Sequence, residues 1–477
     1  MRFLCVLIAI MLLTKPVSAE EKSALFRVEP GVRQLFLDDV GVEKIDSLKH
    51  TLHQPKKRGA VIRSANPEQM IQTRTAPVWD PACKLYKFWV LGIDDGFWQS
   101  PDGLHWVPGP KTNLRTDMVV YDPLDADSSR RFKAALLNEG FAVSADGVQW
   151  TKLDIPKIPS SDEGNFSYDP KHGLYIQTVK RGGPHGRAVA IATSKDFMTW
   201  TDHGVVFSAD KLDQELGRKN IEARREDASF QQSLYDDQSI YNVDVYNMGV
   251  FHYEGLYLGM PAFYHATGSV PNYPNTEGFH LVQLACSRDL KDWHRLGDRQ
   301  PFLGPSRRDS GAYDLTQILP PSAPVLRNDE LWFYYTGLKY RVNWRYVGTF
   351  PNGEHVPLPD FDRDAGAVCL AVLRRDGFVS LDAGDEAGTL LTNRFALPEG
   401  TLHVNTDTTE GLLQVTVCDE TGQPITGFEQ SQEIRSDKTA VAVSWSDAKL
   451  EDLRGRNVQL RFTLQKGQLF SYWIGSE

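Results

Sequence analysis

The chain has 477 residues, 24% of them charged, and a formal net charge of −10 at pH 7. The charges are spread along the sequence without a basic stripe, which argues against nucleic acid as a partner. This length exceeds one ordinary hydrophobic core and predicts two domains, although a propeller can be large as a single unit.

The N-terminus has the pattern of a cleavable secretory signal. It reads MRFLCVLIAIMLLTKPVSAEE, with an early cation, an apolar run from Phe3 to Leu13, and Val-Ser-Ala ending at Ala19. The run is shorter than the roughly 20 apolar residues that an uncleaved membrane anchor needs. We therefore expect loss of residues 1–19 and a soluble, exported protein, periplasmic or extracellular, with no membrane insertion afterwards.

The cysteines predict no metal or redox motif. Beyond Cys5 of the signal they are widely separated, with no CxxC and no zinc spacing: Cys83, Cys286, Cys369 and Cys418. Two of them lie in apolar runs, which favours small buried side chains. The pairing of these cysteines stays open, as does the oligomeric state, and neither a metal nor another cofactor is expected from these motifs.

The strongest pattern is a repeated phrase of serine or threonine, aspartate and tryptophan. It reads SPDGLHW (100–106), SADGVQW (144–150), TSKDFMTW (193–200) and SRDLKDW (287–293), with a degenerate fifth copy, RRDGFVSLDAG (374–384). The serine and aspartate favour a tight hairpin turn, and the tryptophan would pack one unit on the next. Three units also open with a strand, an Asp-Pro turn and a second strand, as in VWDPACKLYKFWV.

These units predict an all-β protein with a five-bladed β-propeller over residues 70–384. Residues 20–69 are expected to close the propeller or lead into it. Two long insertions, 209–238 and 340–364, interrupt the later units, and the first is either a solvated excursion or a cleft wall with a short helix. Short alternating strands then predict a C-terminal β-sandwich over 390–477.

With these phrases the chain resembles the five-bladed propeller glycosidases related to glycoside hydrolase families 32, 43 and 117, in particular exported, family-32-like bacterial proteins. RQLFLDDVGVEK, SRDLKDWHRLGDRQPFLG, ELWFYYTG and LRRDGFVSLDAG carry the resemblance, with the C-terminal HVNTD and LRGRNVQLRF. It implies hydrolysis of an oligo- or polysaccharide, and it permits a metal ion at the propeller axis. The family-32 nucleophile phrase WMNDPNG is absent from the sequence, so fructosidase activity is not implied.

Candidate catalytic residues are chosen by position, because glycoside hydrolysis needs two carboxyl groups across the scissile bond. Acids that recur at one position of the repeats are assigned to turns. Among the non-repeated acids, we expect Asp39 as base and Glu163 as acid, with Asp244 as a third carboxylate that raises the pKa of the acid. The resemblance to families 43 and 117 favours inversion of the anomeric configuration.

Further residues are candidates for binding sugar. These are acids at the unit entrances, two arginines with planar donor groups, and aromatic rings that can stack on a sugar face: Asp38, Asp117, Asp162, Asp314, Arg74, Arg299, Trp98, Tyr246, Tyr264 and Trp344.

Three alternatives stay open at this point. SPDGLHW and SADGVQW approach the Asp-box phrase of sialidases, but those enzymes have six blades and an arginine triad. A phosphorolytic enzyme would need a phosphate supply outside the cytoplasm. A non-catalytic carbohydrate-binding propeller differs from a glycosidase only in activity or in lacking paired carboxylates.

Overall fold

A computed structural model describes residues 26–475 except 67–68, 70, 93–95, 272–274, 342–345, 350–351 and 358–359. The predicted secretory signal lies outside the described residues. Within them, no helix is both long enough and apolar enough to cross a membrane. The described chain is nearly all β, as predicted.

Four short strands come first in the chain: β1 (Gln34–Leu35), β2 (Val42–Asp46), β3 (Lys49–Leu52) and β4 (Lys56–Arg63). They are not neighbours of one another. Each pairs with a strand from the second half of the chain.

The next three sheets are four-stranded, antiparallel and consecutive in the chain. The first comprises β5 (Val78–Asp80), β6 (Leu85–Trp89), β7 (Phe97–Ser100) and β8 (Val107–Pro108). The second comprises β9 (Val119–Tyr121), β10 (Phe132–Leu136), β11 (Gly140–Ser144) and β12 (Trp150–Leu153). The third comprises β13 (Gly164–Asp169), β14 (Leu174–Gly183), β15 (Gly186–Ser194) and β16 (Thr201–Ser208).

The polar insertion after the third sheet forms one long helix, α1 (Lys211–Glu226). Asp210 caps it, because its carboxylate accepts from the Asp213 amide while the Asp213 carboxylate accepts from the Asp210 amide. The helix lies against the fourth sheet at Gly217, where an added Cβ would come within 2.1 Å of Val243. The insertion is therefore an ordered part of the fold.

The fourth and fifth sheets have five strands each. The fourth comprises β17 (Asn242–Tyr253), β18 (Leu256–Ser269), β19 (Thr276–Val282), β20 (Ala285–Ser287) and β21 (His294–Arg295). The next strands are β22 (Gln317–Leu319), β23 (Val325–Arg327), β24 (Glu330–Leu338), β25 (Tyr346–Thr349), β26 (His355–Pro357) and β27 (Gly366–Arg374). Of these, β25 and β26 form a separate hairpin, and the N-terminal β4 completes the fifth sheet along β27.

Successive sheets contact each other through their first strands: β5 contacts β9, β9 contacts β13, and β13 contacts β17. The His280 amide of the fourth sheet bonds to Thr316 beside the fifth at 2.8 Å. Thr336 of the fifth sheet exchanges hydrogen bonds with Thr73, just ahead of the first sheet, at 2.8 and 3.1 Å. The five sheets therefore follow one another in a closed cycle.

The repeated phrase forms the same turn in four sheets. The serine Oγ accepts from the amide three residues later at 2.8–2.9 Å. The aspartate Oδ1 accepts from the amides two and three residues later at 2.7–2.9 Å, as predicted for turn acids: Asp102, Asp146, Asp196 and Asp289. The Asp-Pro acids also bind amides of their own turns: Asp80, Asp122 and Asp169.

Two more sheets share a core beside this cycle. Their further strands are β28 (Val379–Ala383), β29 (Gly388–Thr392), β30 (Phe395–Ala396), β31 (Thr401–Asp407), β32 (Leu412–Cys418), β33 (Asp437–Ala442), β34 (Asn457–Gln465) and β35 (Gly467–Gly475). One sheet has the order β3-β28-β35-β31-β33 with β1 on β35. The other has the order β2-β29-β34-β30 with β32 on β34.

The degenerate fifth phrase joins this two-sheet unit to the cycle. Its acid, Asp376, is 1% exposed and pairs with Arg33 at 2.7 Å. The same carboxylate accepts from Tyr253 and Ser471 at 2.6 Å and from Asn405 at 3.1 Å. Three of these partners lie outside the five sheets, in the N-terminal segment or in β31 and β35, so the fifth copy serves as a junction between the two units.

Candidate functional site

Four charged residues lie where the first strands of successive sheets begin. Arg74 precedes β5, Asp117 precedes β9, Glu163 directly precedes β13, and Asp244 is the third residue of β17. Because the first strands of neighbouring sheets contact each other, the beginnings of these strands lie together at one end of the cycle. We call this end the entrance.

Arg74 and Glu163 form a buried two-bond ion pair at the entrance. The Arg74 Nε donates to Glu163 Oε2 at 2.5 Å, and Nη2 donates to Oε1 at 2.8 Å. Asn165 supports the pair, since its amide donates to the Arg74 carbonyl at 2.9 Å and to the Pro320 carbonyl at 3.2 Å. The entrance therefore ties the third sheet to segments beside the first and the fifth.

Asp117 is part-buried and lies in the field of this pair. Burial raises the pKa of its carboxyl from 3.8 to about 6; the Arg74 charge opposes that shift and the Glu163 charge adds to it. An acid with a pKa near 6 still carries a proton at mildly acidic pH, which a free aspartate does not. Asp117 thus has the property of a proton donor.

Asp244 lies on the next sheet, paired with Arg187. The Arg187 Nη1 contacts both carboxylate oxygens, at 2.9 and 3.2 Å. Burial raises the pKa of Asp244, against the attraction of Arg187. A buried carboxylate with a raised pKa accepts a proton more readily than an exposed one.

Two tyrosines and a third cation complete the charged group. Lys180 pairs with the exposed Asp162, and its Nζ lies 4.3 Å from the centre of the Tyr246 ring. Burial lowers the pKa of Lys180. The Arg187 guanidinium lies 5.4 Å from the Tyr246 ring and 5.3 Å from the Tyr264 ring.

His280 packs against both tyrosine rings, with centroids 4.9 Å from Tyr246 and 5.2 Å from Tyr264. It is fully buried, and neither ring nitrogen has a hydrogen-bond partner among the described residues. Burial, with added repulsion from Arg341 and Arg187, lowers the pKa of His280 well below its usual value. His280 is therefore a neutral ring at physiological pH.

The structure does not bring Asp39 to this group, and this corrects the predicted pairing of Asp39 with Glu163. Asp38, its neighbour, is held by Arg288 at 2.8 and 3.0 Å, and Arg288 follows Ser287. Ser287 pairs with Tyr257 of β18, whereas Asp244 pairs with Tyr264 of the same strand. Seven residues of extended strand span about 24 Å, so Asp38 and Asp39 lie at the end opposite the entrance.

Two further candidates have structural partners elsewhere. Arg299 forms a two-bond pair with Asp210 at the start of α1, at 2.6 and 2.8 Å. Asp314 is buried beside the fifth sheet, just ahead of β22, with Lys57 at 2.6 Å and the Tyr335 hydroxyl at 2.9 Å. Both charges therefore have partners within the fold and need no ligand.

Of the predicted aromatic residues, Tyr246 and Tyr264 lie in the entrance group. Trp98 lies on β7, the third strand of the first sheet, against a hydrophobic core. Trp344 lies outside the described residues.

Sequence reasoning missed Lys180, Arg187, His280 and Arg341. Lys180 and Arg187 are the first and last residues of a basic, glycine-rich segment, KRGGPHGR, that forms the turn from β14 to β15. This local concentration of positive charge could have identified them as candidates. His280 is a lone histidine in an apolar strand. Nothing in the sequence alone separates it from an ordinary core residue.

No protein-family model matches the sequence, and no curated protein matches it. Solved structures do resemble it. One described as a glycoside hydrolase has 12% identity and a TM-score of 0.39, covering 67% of this chain and 92% of its own. An N-acetylgalactosamine deacetylase from F. plautii, in complex with blood group B trisaccharide, has 14% identity and a TM-score of 0.36, covering 73% and 96%. The Bombyx mori GH32 beta-fructofuranosidase BmSUC1 has 9% identity and a TM-score of 0.33, covering 88% and 93%.

Proposed function

We propose that this protein is an exported glycoside hydrolase whose active site is the entrance group. The supporting observation is the meeting of Asp117, Glu163 and Asp244 at the beginnings of three successive first strands, with the carboxyls of Asp117 and Asp244 both raised in pKa. Paired carboxyls with shifted pKa values are the requirement of glycosidic bond cleavage.

In this proposal Asp117 is the general acid. Its raised pKa keeps a proton available for the leaving oxygen of the sugar. Glu163, first expected in this role, is better suited to positioning, because both of its oxygens already accept hydrogen bonds from Arg74. Its negative charge then helps to hold the proton on Asp117.

Asp244 is the proposed base, which activates a water on the opposite face of the sugar. Arg187 orients it through contacts to both oxygens. The proposed mechanism is inverting, as the resemblance to families 43 and 117 favours, and it requires that the two carboxyls leave space for that water. The Tyr246 ring, which keeps some exposure, would contact the sugar, because aromatic rings pack against the C–H surfaces of sugar rings. Tyr264 is 1% exposed and would support Tyr246 from behind.

The charge balance favours a neutral sugar over an acidic one. Arg74, Lys180 and Arg187 each have a carboxylate partner in the group. A sialidase-like enzyme would need arginines available for the substrate carboxylate, and it would need six blades. A phosphorolytic enzyme needs cations to bind phosphate. Because these three cations are already paired with carboxylates, the group favours hydrolysis over phosphorolysis.

We further propose that the five sheets from β5 to β27, completed by β4, are the blades of a five-bladed propeller. The propeller would then end near Arg374, before the predicted boundary at 384, because β28 (Val379–Ala383) pairs with β3 and β35 in the two-sheet unit. The two-sheet unit, including residues 390–477, would be a supporting β-sandwich.

Cleavage after Ala19 would release the mature chain to the periplasm or the medium. The intact mass of the exported protein tests that cleavage.

The function is tested by the rates of three variants on a panel of neutral oligosaccharides. We expect Asp117→Asn and Asp244→Asn to lose at least about a hundredfold in kcat, because each removes one proton transfer. Asp39→Asn is the matched control: it removes a carboxylate at the opposite end, and we expect a near-normal rate. Binding of an oligosaccharide without turnover by the parent chain would instead identify a carbohydrate-binding propeller. Loss of activity in Asp39→Asn would restore the first assignment.

A further inference from the structure

A second group of side chains lies at the end of the cycle opposite the entrance. Asp169 is the last residue of β13, His172 lies in the turn that follows, and His252 is the penultimate residue of β17. One donor atom from each lies within 4.8 Å of the other two. The group joins the third and fourth sheets and has no part in the proposed hydrolysis.

The Asp169 carboxylate is fully buried and held in place by its neighbours. Its Oδ1 accepts from the amides of Lys171 and His172 at 3.0 and 3.3 Å. Its Oδ2 contacts His172 Nδ1 at 2.6 Å and accepts from the Tyr257 hydroxyl at 3.1 Å. The Lys171 ammonium turns away to Glu29 at 2.7 Å, so its charge is compensated.

His252 adds a second imidazole from the neighbouring sheet. Its Nδ1 lies 3.5 Å from Asp169 Oδ1, its ring meets the His172 ring edge-on at 4.9 Å, and its side chain is 10% exposed. Its Nε2 is buried without a hydrogen-bond partner among the described residues.

His172 is 47% exposed and reaches the wall of a cavity of about 340 Å³ that also contacts Glu29 and Tyr257. A metal ion bound by the group could therefore take a water from this cavity as its remaining ligand. Catalytic zinc sites combine three protein ligands with one such open position.

We propose that Asp169, His172 and His252 form a binding site for a divalent transition-metal ion of the Zn²⁺ type. Two imidazoles and one carboxylate are a common ligand set for Zn²⁺. Ligand atoms about 2.0–2.1 Å from a tetrahedral ion lie about 3.4 Å apart. On binding, the 2.6 Å distance between His172 Nδ1 and Asp169 Oδ2 would lengthen, and the longer distances between donor atoms of the group, up to 4.8 Å, would shorten. An exposed histidine in a turn can make these movements.

The Tyr257 hydroxyl is the expected outer partner, since it would continue to orient the Asp169 oxygen once His172 turned to the metal. The ion would link two sheets through residues 80 positions apart in the chain, from His172 to His252. Its binding would therefore stabilise the folded state.

The chain contains a matched control for this site. Asp102 and His105 have the same spacing and the same 2.6 Å contact between Nδ1 and Oδ2. Among the described residues, no second histidine joins that pair to form a ligand group. His105→Ala thus removes an equivalent histidine without removing a metal site.

The experiment is a calorimetric titration of the full mature chain, freed of metal, with Zn²⁺, together with the visible absorption of its Co²⁺ complex. We expect one ion per chain, a tetrahedral Co²⁺ spectrum, and an increase in the unfolding temperature with Zn²⁺. His172→Ala and His252→Phe should each weaken binding at least about tenfold and remove the spectrum, whereas His105→Ala should leave both unchanged.

His172→Ala changes an exposed side chain, so it provides the test even if His252→Phe does not fold. Binding that persists in His172→Ala would overturn the proposal. So would equal loss in His105→Ala, or failure of the parent chain to bind Zn²⁺.

Discussion

At the scale of single residues, the entrance group holds a carboxyl in a setting that disfavours its charge. Asp117 is partly removed from water, the Glu163 charge adds to the upward shift of its pKa, and the Arg74 charge is the largest influence opposing that shift. At neutral pH the ionised Asp117 therefore lowers the free energy of unfolding. Sites that depend on shifted pKa values are commonly destabilising in this way.

Replacement of Asp117 by asparagine should therefore stabilise the protein while it removes activity. With a folded-state pKa of about 6 against 3.8 when unfolded, the native state binds this proton more tightly. The contribution of this proton to the free energy of unfolding is fully present below about pH 4, and it is lost as the pH rises through about 6. At pH 7.5 we expect Asp117→Asn to raise the free energy of unfolding by roughly 1–3 kcal/mol, discounted for partial exposure.

Urea unfolding of both proteins at pH 7.5 and pH 4 provides the measurement. The gain should be present at pH 7.5 and absent at pH 4. A variant less stable than the parent at pH 7.5 would show that the Asp117 charge is stabilising, and it would remove the argument for a proton donor.

Residues with local hydrogen bonds could be predicted from the sequence, and residues placed by distant strand pairing could not. The turn acids were predictable because their hydrogen bonds are local: Asp102 binds amides two and three positions later, and so does each copy. Glu163 and Asp244 were chosen as non-repeated acids at unit openings, and both lie at the beginnings of first strands in the entrance group. Asp39 was misplaced because its position depends on the pairing of β1 with β35, across more than 400 residues, which no local pattern encodes.

At the scale of elements, the degenerate fifth phrase shows how one copy of a repeat acquires a different task. In four copies the aspartate binds amides of its own turn. In the fifth, Asp376 accepts from Arg33, Tyr253, Asn405 and Ser471. The departure of this copy from the phrase was visible in the sequence, but its partners were not.

Asp376→Ala should destabilise the protein by about 3–5 kcal/mol, because it leaves a buried Arg33 charge and several donors without an acceptor. Asp102→Ala is the control within an ordinary copy. There we expect a loss of about 1 kcal/mol, the usual value for local hydrogen bonds at a part-exposed turn. Thermal and urea unfolding of both variants compare the two turns, and equal losses would contradict a junction role for the fifth copy.

The helix α1 is an element that the sequence left undecided. The polar composition of residues 209–238 allowed a solvated excursion as readily as a helix. The Asp210 and Asp213 capping box was present in the sequence. Packing of Gly217 on Val243 depends on the neighbouring sheet and was not predictable.

At the scale of the whole molecule, the two ends of the chain fold together. The two-sheet unit contains β1, β2 and β3 from the N-terminal segment as well as the strands after residue 379. Residues 390–477 do contain short strands, as the alternating pattern predicted. The pattern did not predict that strands from outside this range, β1, β2, β3 and β28, complete the two sheets.

An isolated segment of residues 390–477 should therefore fail to fold. It lacks β28 and the first two residues of β29, strands that lie between N-terminal and C-terminal strands in the two sheets, and it lacks β1, β2 and β3. Exposed strand edges of this kind favour aggregation. A proton–nitrogen NMR spectrum of the segment should show the narrow dispersion of an unfolded chain, and a well-dispersed spectrum would establish the segment as an independent domain.

Proton NMR of the reaction as it proceeds tests whether the protein cleaves a glycosidic bond at the entrance. The mature chain is mixed with each member of a panel of neutral oligosaccharides, and the anomeric signals of the first products are followed. We predict a first-formed anomer of inverted configuration, and no product with Asp117→Asn under the same conditions. A retained anomer would contradict the proposed inverting roles of Asp117 and Asp244, and an unchanged rate in Asp117→Asn would contradict the placement of the active site at the entrance.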